Sequence, residues 1–295
     1  MLTLNTSDLT PVQLQNYLQY AIAPRPICFA STIDAQGNIN LSPFSFFNLF
    51  GTNPPMVIFS PARRVRDNTT KHTLENVLEV KECVVNIVNY AMVQQMSLAS
   101  TEYAKEVNEF EKSGFTMLES HLVKPPRVAE APVQLECVVT EVIPLGDKNG
   151  AGNLVLAEIK LIHIKEDILD IDGKIDQEKI DLVARLGGDW YCRVGAENLF
   201  KVAKPLTTLG IGVSALPVSV RNSKVLTGND LGQLGNVEKL PSAEEIDAIQ
   251  WNANVKDILD ATIGDANNRE RELHELAHQL LSVGNVDDAL KVVLL

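Results

Sequence analysis

The sequence has no uninterrupted apolar run long enough to cross a bilayer, and its opening MLTLNTSDLT has neither a basic stretch nor the apolar core of a secretory leader. These absences predict a cytoplasmic protein without a membrane partner. Positive charge is scarce too: 26 Lys and Arg stand against 38 Asp and Glu, a formal net charge of −12. A field of that sign repels phosphate backbones and anionic lipid, which argues against nucleic acid as the main partner. Only four cysteines occur, Cys28, Cys83, Cys137 and Cys192, each alone in an apolar run and none in C-x-x-C spacing. Free thiols packed as small hydrophobes are therefore expected, rather than disulfides, a zinc site or a nucleophile. What remains is ordinary globular composition over 295 residues, 45% hydrophobic and 22% charged, enough for one large domain or a domain with an appendage.

Thr10 as N-cap and Pro11 at the first helical position predict a short leading helix with Val12, Leu14, Tyr17 and Leu18 as its apolar positions. PICFASTI, the turn DAQGN and INLSPFSFF read as a β-hairpin; MVIFS after the breaker NPP and CVVNIVN read as buried strands. Between these two, Thr69 or Thr70 is expected to cap a helix reaching about Val80. AMVQQMSLAS has helical spacing with Met92, Met96 and Ala99 on one side. A long charged connection over 101–131 precedes two alternating strands, VQLECVVTEVIPL and NLVLAEIKLIHIK, joined by the turn GDKNGAG. A short helix is expected near 177–185, then LGGDWYCRV as a turn into a last strand. Mostly antiparallel strands with short helices predict a mainly β fold closed into a barrel over 1–199. From 200 to 241 Gly, Asn and Ser dominate without sustained periodicity, which reads as an extended arm. Residues 242–295 read as an acidic helical appendage, with eleven acidic against four basic side chains.

The chemistry concentrates between Asn40 and Asn76. SPFSFFN, Ser42 to Asn48, mixes hydroxyls with three phenylalanines at a strand edge, where backbone groups can meet a flat heteroaromatic ring. ARRVRDNTTKHT, Ala62 to Thr73, sets Arg63, Arg64, Arg66 and Lys71 beside three threonines just before a helix, the combination that binds phosphate. Core packing alone could account for Phe44 and Phe46, and a solvated face for the charges. The interleaved hydroxyls, Asn48 and the adjoining basic cluster favour a ligand site. Arg185 with Gly187 and Gly188 could shape the pocket mouth or form a plain turn. His274 and His278 match H-E-x-x-H, but a catalytic zinc needs a third protein ligand. Only Asp287 and Asp288 follow as carboxylates, so solvent-facing histidines on an ordinary packed helix are expected.

Taken in order, PRPI (Pro24 to Ile27), SPFSFFN, NPP, TKHTLENV, CVVNIVN, KPPRVAEAPVQLEC and RLGGDWYCRV resemble the flavin-reductase-like, FMN-binding split-barrel family from about Tyr20 to Val194. The resemblance implies a six-stranded Greek-key split barrel, FMN as cofactor, and a homodimer with the flavin near its interface. It implies that Ser45, Phe46, Phe47 and Asn48 line the isoalloxazine ring, largely through backbone, and that Ser60, Arg63, Asn68, Thr69, Lys71 and Thr73 hold the ribityl and phosphate side. No metal and no particular catalytic side chain is implied. The implied activity is hydride transfer from NADH or NADPH to flavin N5, or flavoredoxin-like electron carriage to a partner protein. Without a Gly-rich dinucleotide fingerprint, a nicotinamide nucleotide would bind only transiently over the flavin. The choice of nucleotide, the acceptor and the arginine that touches phosphate stay open. So do two other classes, a non-redox flavin-binding or interaction module and a zinc hydrolase acting through 274–278.

Overall fold

In the computed structural model, which describes residues 1–295 as two compact units, Met1–Phe200 and Lys201–Leu295, the first unit opens with α1 (Pro11–Ala21). Thr10 and Gln13 cap each other, and Pro11 lacks only a donor that a first helical turn leaves unpaired anyway. Strands β1 (Cys28–Ile33) and β2 (Ile39–Phe44) form the expected hairpin. There follow β3 (Phe47–Thr52), β4 (Pro55–Phe59), α2 (His72–Glu79), β5 (Glu82–Ile87), α3 (Val93–Leu98), α4 (Glu109–Ser113), β6 (Met117–Leu118) and β7 (Arg127–Val128). The long strands β8 (Val133–Pro144) and β9 (Asn153–Ile164) come next, then β10 (Val183–Arg185) and β11 (Tyr191–Arg193). Residues 177–180 form turns, so no helix occupies 177–185.

Seven strands pair antiparallel in the order β2-β1-β5-β8-β9-β4-β3. The expected closed barrel of six strands is not what hydrogen bonding builds: the ladder stays open between β2 and β3. These two edges are nevertheless consecutive in sequence, with only Ser45 and Phe46 between them, so the sheet has to curl until its edges meet at that corner. On β2, the Leu41 amide donates to the Glu109 carboxylate of α4 at 3.0 Å, which pairs an edge donor that no strand reaches.

Alternation along β1 feeds two cores. Cys28 and Ala30 face Phe44, Phe59, Val85 and Val155, whereas Ile27 and Phe29, on the other phase, join Met92, Met96, Ala99 and Phe110. Leu74 and Val77 seat α2 on the first of these cores. Cys83 and Cys137 stand opposite each other on β5 and β8, fully buried like Cys28. Burial pushes the Cys28 thiol well up; the hydrogen bond with Cys83, and then burial, do the same to Cys137, as befits inert packing groups.

The second unit contains α5 (Val218–Arg221), α6 (Gly228–Gly235), α7 (Ala243–Ile249), α8 (Ala253–Ala261), α9 (Ala266–Ser282) and α10 (Val286–Val293). The stretch read as an extended arm is folded: Leu216, Val220, Leu226 and Leu234 share a core with Leu273, Ala277, Leu281 and Leu290. Its helices are too short to repeat an apolar period, which is why the sequence shows none. The same packing corrects one of the two histidines expected to face solvent, while His278 stays exposed as expected. His274 is only 4% exposed, with Nδ1 2.8 Å from the Ser223 hydroxyl, and His278 meets the Asp230 carboxylate at 2.9 Å. No three His, Cys, Asp or Glu side chains are grouped to hold a metal, and no helix is long and apolar enough to cross a membrane.

Glu136 on β8 is fully buried and fastens the 121–123 segment to the sheet. Its carboxylate accepts from the amides of His121 (2.8 Å), Leu122 (2.6 Å) and Val123 (3.3 Å) and meets the His163 ring at 2.7 Å. Burial works to raise its pKa, but the amide donors and His163 outweigh it, so the carboxyl sits below its ordinary 4.5. The stabilisation is complete above the ordinary carboxylate range and is lost as the pH falls through the depressed value. We expect Glu136→Gln to cost about 1–3 kcal/mol at neutral pH, measured by urea unfolding, with the gap to wild type closing below pH 4.5. A gap independent of pH would show that packing, not the ionised carboxylate, is what was lost.

Candidate functional site

Two adjoining cavities lie along β2 and the corner that follows it. The larger, about 320 Å³, is lined by Ile27, Phe44, Ser45, Met96, Arg185 and Tyr191 among others. The smaller, about 30 Å³, is lined by Asn40, Ser42, Arg64, Lys71, Thr73 and Glu102 among others, and Ser100 borders both. The first has the size of a small-ligand pocket; the second has room for a small polar group only.

The small cavity sits at the start of α2. Neither Thr69 nor Thr70 caps this helix: Thr69 donates to Asp67 and accepts from Arg64, and Thr70 donates to Glu75. The N-cap is Lys71, whose side chain makes no capping bond, and the amides of His72 and Thr73 have no acceptor in the chain. Lys71 itself has neither an ion-pair partner nor a hydrogen-bond acceptor, and its nearest aromatic contact is the Phe44 ring, 5.6 Å away. Burial, and then the neighbouring Arg64, lower its pKa from the ordinary 10.5 against an opposing pull from Glu102. Thr73 is held in place by a buried bond from the Asn40 amide at 2.9 Å. An uncompensated ammonium next to free helix amides is a ready anion site.

The larger cavity is framed by Arg25. This buried guanidinium donates to the carbonyls of Gln19 and Ile22, both at 2.6 Å, and of Leu186 at 2.8 Å, and reaches the Ser45 hydroxyl at 3.4 Å. Burial, and then Arg185, lower its pKa from the usual 12.5. One side chain thus ties the end of α1, the turn before β11 and the β2–β3 corner together. Arg185 stacks over Tyr191 at 4.5 Å, giving the wall a flat cationic platform. In the same turn, a Cβ on Gly187 would lie 2.2 Å from the Tyr20 ring, so this close approach needs glycine.

The ten residues expected at a site are not all drawn together. Ser45 lines the larger cavity; Lys71 and Thr73 line the smaller. Phe47 packs against the core, while Phe46 at the corner and Asn48 on the opposite phase of β3 are exposed. Arg63 and Asn68 are bonded to each other at 2.8 Å and point toward the β8–β9 connection, where Asn68 meets the Asp147 carbonyl and Ser60 accepts from the Asn153 amide. Thr69 braces Asp67 and Arg64. Unforeseen lining residues are Asn40, Met96, Ser97, Ser100, Thr101 and Glu102. For Ser97, Ser100 and Thr101 the hydroxyl-rich run SLAST was the one signal in the sequence.

Residues 20–178 match the family model described as the flavin reductase like domain. An uncharacterized protein of Aquifex aeolicus is 40% identical over 181 residues, 61% of this chain and 90% of its own length. Nitrilotriacetate monooxygenase component B from Bacillus cereus superposes with a TM-score of 0.64 at 29% identity, covering 68% of this chain and 98% of that one. The 2-nitrobenzoate 2-nitroreductase of Pseudomonas fluorescens gives 0.62 at 26% identity, covering 72% and 100%. The family match ends before the second unit begins.

Replacing Arg25 with Lys keeps the charge but leaves most of these buried carbonyls unpaired. Arg25→Lys is expected to lower stability by about 2–3 kcal/mol in a denaturant titration. An unchanged midpoint would mean that α1 and the corner hold without it.

Proposed function

Because the chain belongs to the flavin reductase-like family, we propose that it is an FMN-binding oxidoreductase, with the flavin ring in the Ser45 cavity and the phosphate in the Lys71 cavity. The observation that carries this reading is the unpaired Lys71 at an uncapped helix start, one residue lining away from a ring-sized cavity. Lys71 and the amides of His72 and Thr73 would neutralise the phosphate, with Arg64 beside them. Ser45 and Ser100 would offer hydrogen bonds along the ligand. Ile27, Phe44 and Met96 form an apolar wall that excludes water, and the Arg185–Tyr191 platform sets the ring's orientation. When bound, FMN would supply two-electron chemistry by accepting hydride at N5 from NADH or NADPH. The residues of this chain serve by binding and orienting.

A split β-barrel is the finer form of the fold that we infer, supported by edge strands that only two residues separate and that do not pair. A homodimer is supported by the exposed apolar side chains of Val12, Tyr17, Leu18 and Ile22 on and after α1, and of Phe46 and Phe50 at the corner and edge. An electron-accepting partner protein fits the same chemistry.

Fluorescence quenching is expected to show FMN bound at least tenfold more tightly than riboflavin, and Lys71→Met is expected to abolish that preference, about 1.4 kcal/mol or more. Equal affinity for the two flavins would overturn the phosphate assignment. Under anaerobic conditions NADH or NADPH should bleach the bound FMN in stopped flow; bound FMN that neither nucleotide reduces would favour a non-redox flavin-binding module.

A further inference from the structure

One acidic side chain stands where the small cavity needs positive charge. Glu102, on the loop after α3, puts Oε1 3.0 Å from Arg64 Nε and Oε2 2.6 Å from Arg66 Nη2, so each carboxylate oxygen is taken by a different arginine. Its side chain is 45% exposed, and no other ion pair ties this loop to the 63–70 turn. Further along, Lys105 touches Asp34 at 3.5 Å. Ser100, Thr101, Glu102 and Tyr103 all line the small cavity, so this contact draws the loop across it.

We propose that Glu102 is an internal competitor for the phosphate of a bound flavin: it holds Arg64 and Arg66 while the cavity is free and withdraws when the phosphate enters. It thereby sets how strongly the site prefers a phosphorylated flavin. The inference rests on the reading above, that phosphate binds at Lys71. Charge supports it. With Glu102 in place, Arg64 and Lys71 are matched by Glu102 and Glu109, and the lining is formally neutral. A phosphate entering such a lining is held by Lys71 and the helix amides without help from Arg64 or Arg66, which Glu102 occupies. Once Glu102 leaves, the lining is positive and Arg64 Nε and Arg66 Nη2 are free to donate. Exposed ion pairs are weak, whereas arginine–phosphate bonds are strong and often bidentate, so the exchange runs toward the ligand. Glu109 cannot move in the same way, because the Leu41 amide holds it inside the fold.

The test uses the full chain and two probes, FMN and riboflavin, with wild type, Glu102→Gln, Glu102→Ala and Lys71→Met, each checked for folding by circular dichroism. Both Glu102 variants are expected to tighten FMN binding about fivefold, the scale of removing surface ion pairs, without moving riboflavin. Suppose wild type prefers FMN, Lys71→Met removes the preference, and the Glu102 variants leave the FMN-to-riboflavin ratio unchanged. Then the competitor role is wrong and the phosphate site stands. A ratio that falls in both variants would show that Glu102 positions the arginines for the ligand, which also overturns the proposal. If wild type shows no preference for FMN, the phosphate site itself is wrong and the competitor falls with it.

Discussion

Two residues, Ser45 and Phe46, are all that separates the edges of a seven-stranded sheet. A link that short cannot span a flat sheet, so the sheet curls, and the unpaired seam between β2 and β3 follows from it. Everything that makes a site lies on or beside this corner. Arg25 clamps it to the end of α1 and to the Leu186 turn, and through that turn brings Arg185 and Tyr191 opposite Phe44 and Ser45. The larger cavity results from the seam and its clamp together.

The smaller cavity depends on a helix that is left uncapped. A threonine cap would have satisfied the first amides of α2 and left them nothing to offer a ligand. Here the available threonines are occupied by Asp67, Arg64 and Glu75, and the capping position falls to a lysine whose side chain makes no bond. Local stability is foregone at the place where an anion would restore it. The acidic chain as a whole makes a cationic point of this kind more selective, since the field elsewhere repels anions.

Much of the fold was legible because it is written in local periods. The Thr10 cap, the β1–β2 hairpin, the Met92–Met96–Ala99 stripe and the alternating β8 and β9 all appear where spacing puts them. The second unit was not legible between 200 and 241, where helices of four and eight residues gain their stability from α9, a partner distant in sequence. For the site, composition pointed to the right stretch but could not say which way side chains turn. Arg63 and Arg64 are adjacent, yet Asn68, at a left-handed φ of 59°, draws Arg63 toward the β8–β9 connection while Arg64 lines the cavity. The contribution of Tyr191 arises from long-range packing that no local pattern encodes.

The central claim is that one ligand spans both cavities, ring at Ser45 and phosphate at Lys71. Diffraction from crystals of the full chain grown with FMN tests it most directly. The account predicts phosphate density against the Lys71 ammonium and the His72 and Thr73 amides, with the ring beside Ser45 and the Arg185–Tyr191 pair. Phosphate density at Arg63 and Asn68, on the side of the β8–β9 connection, would contradict it.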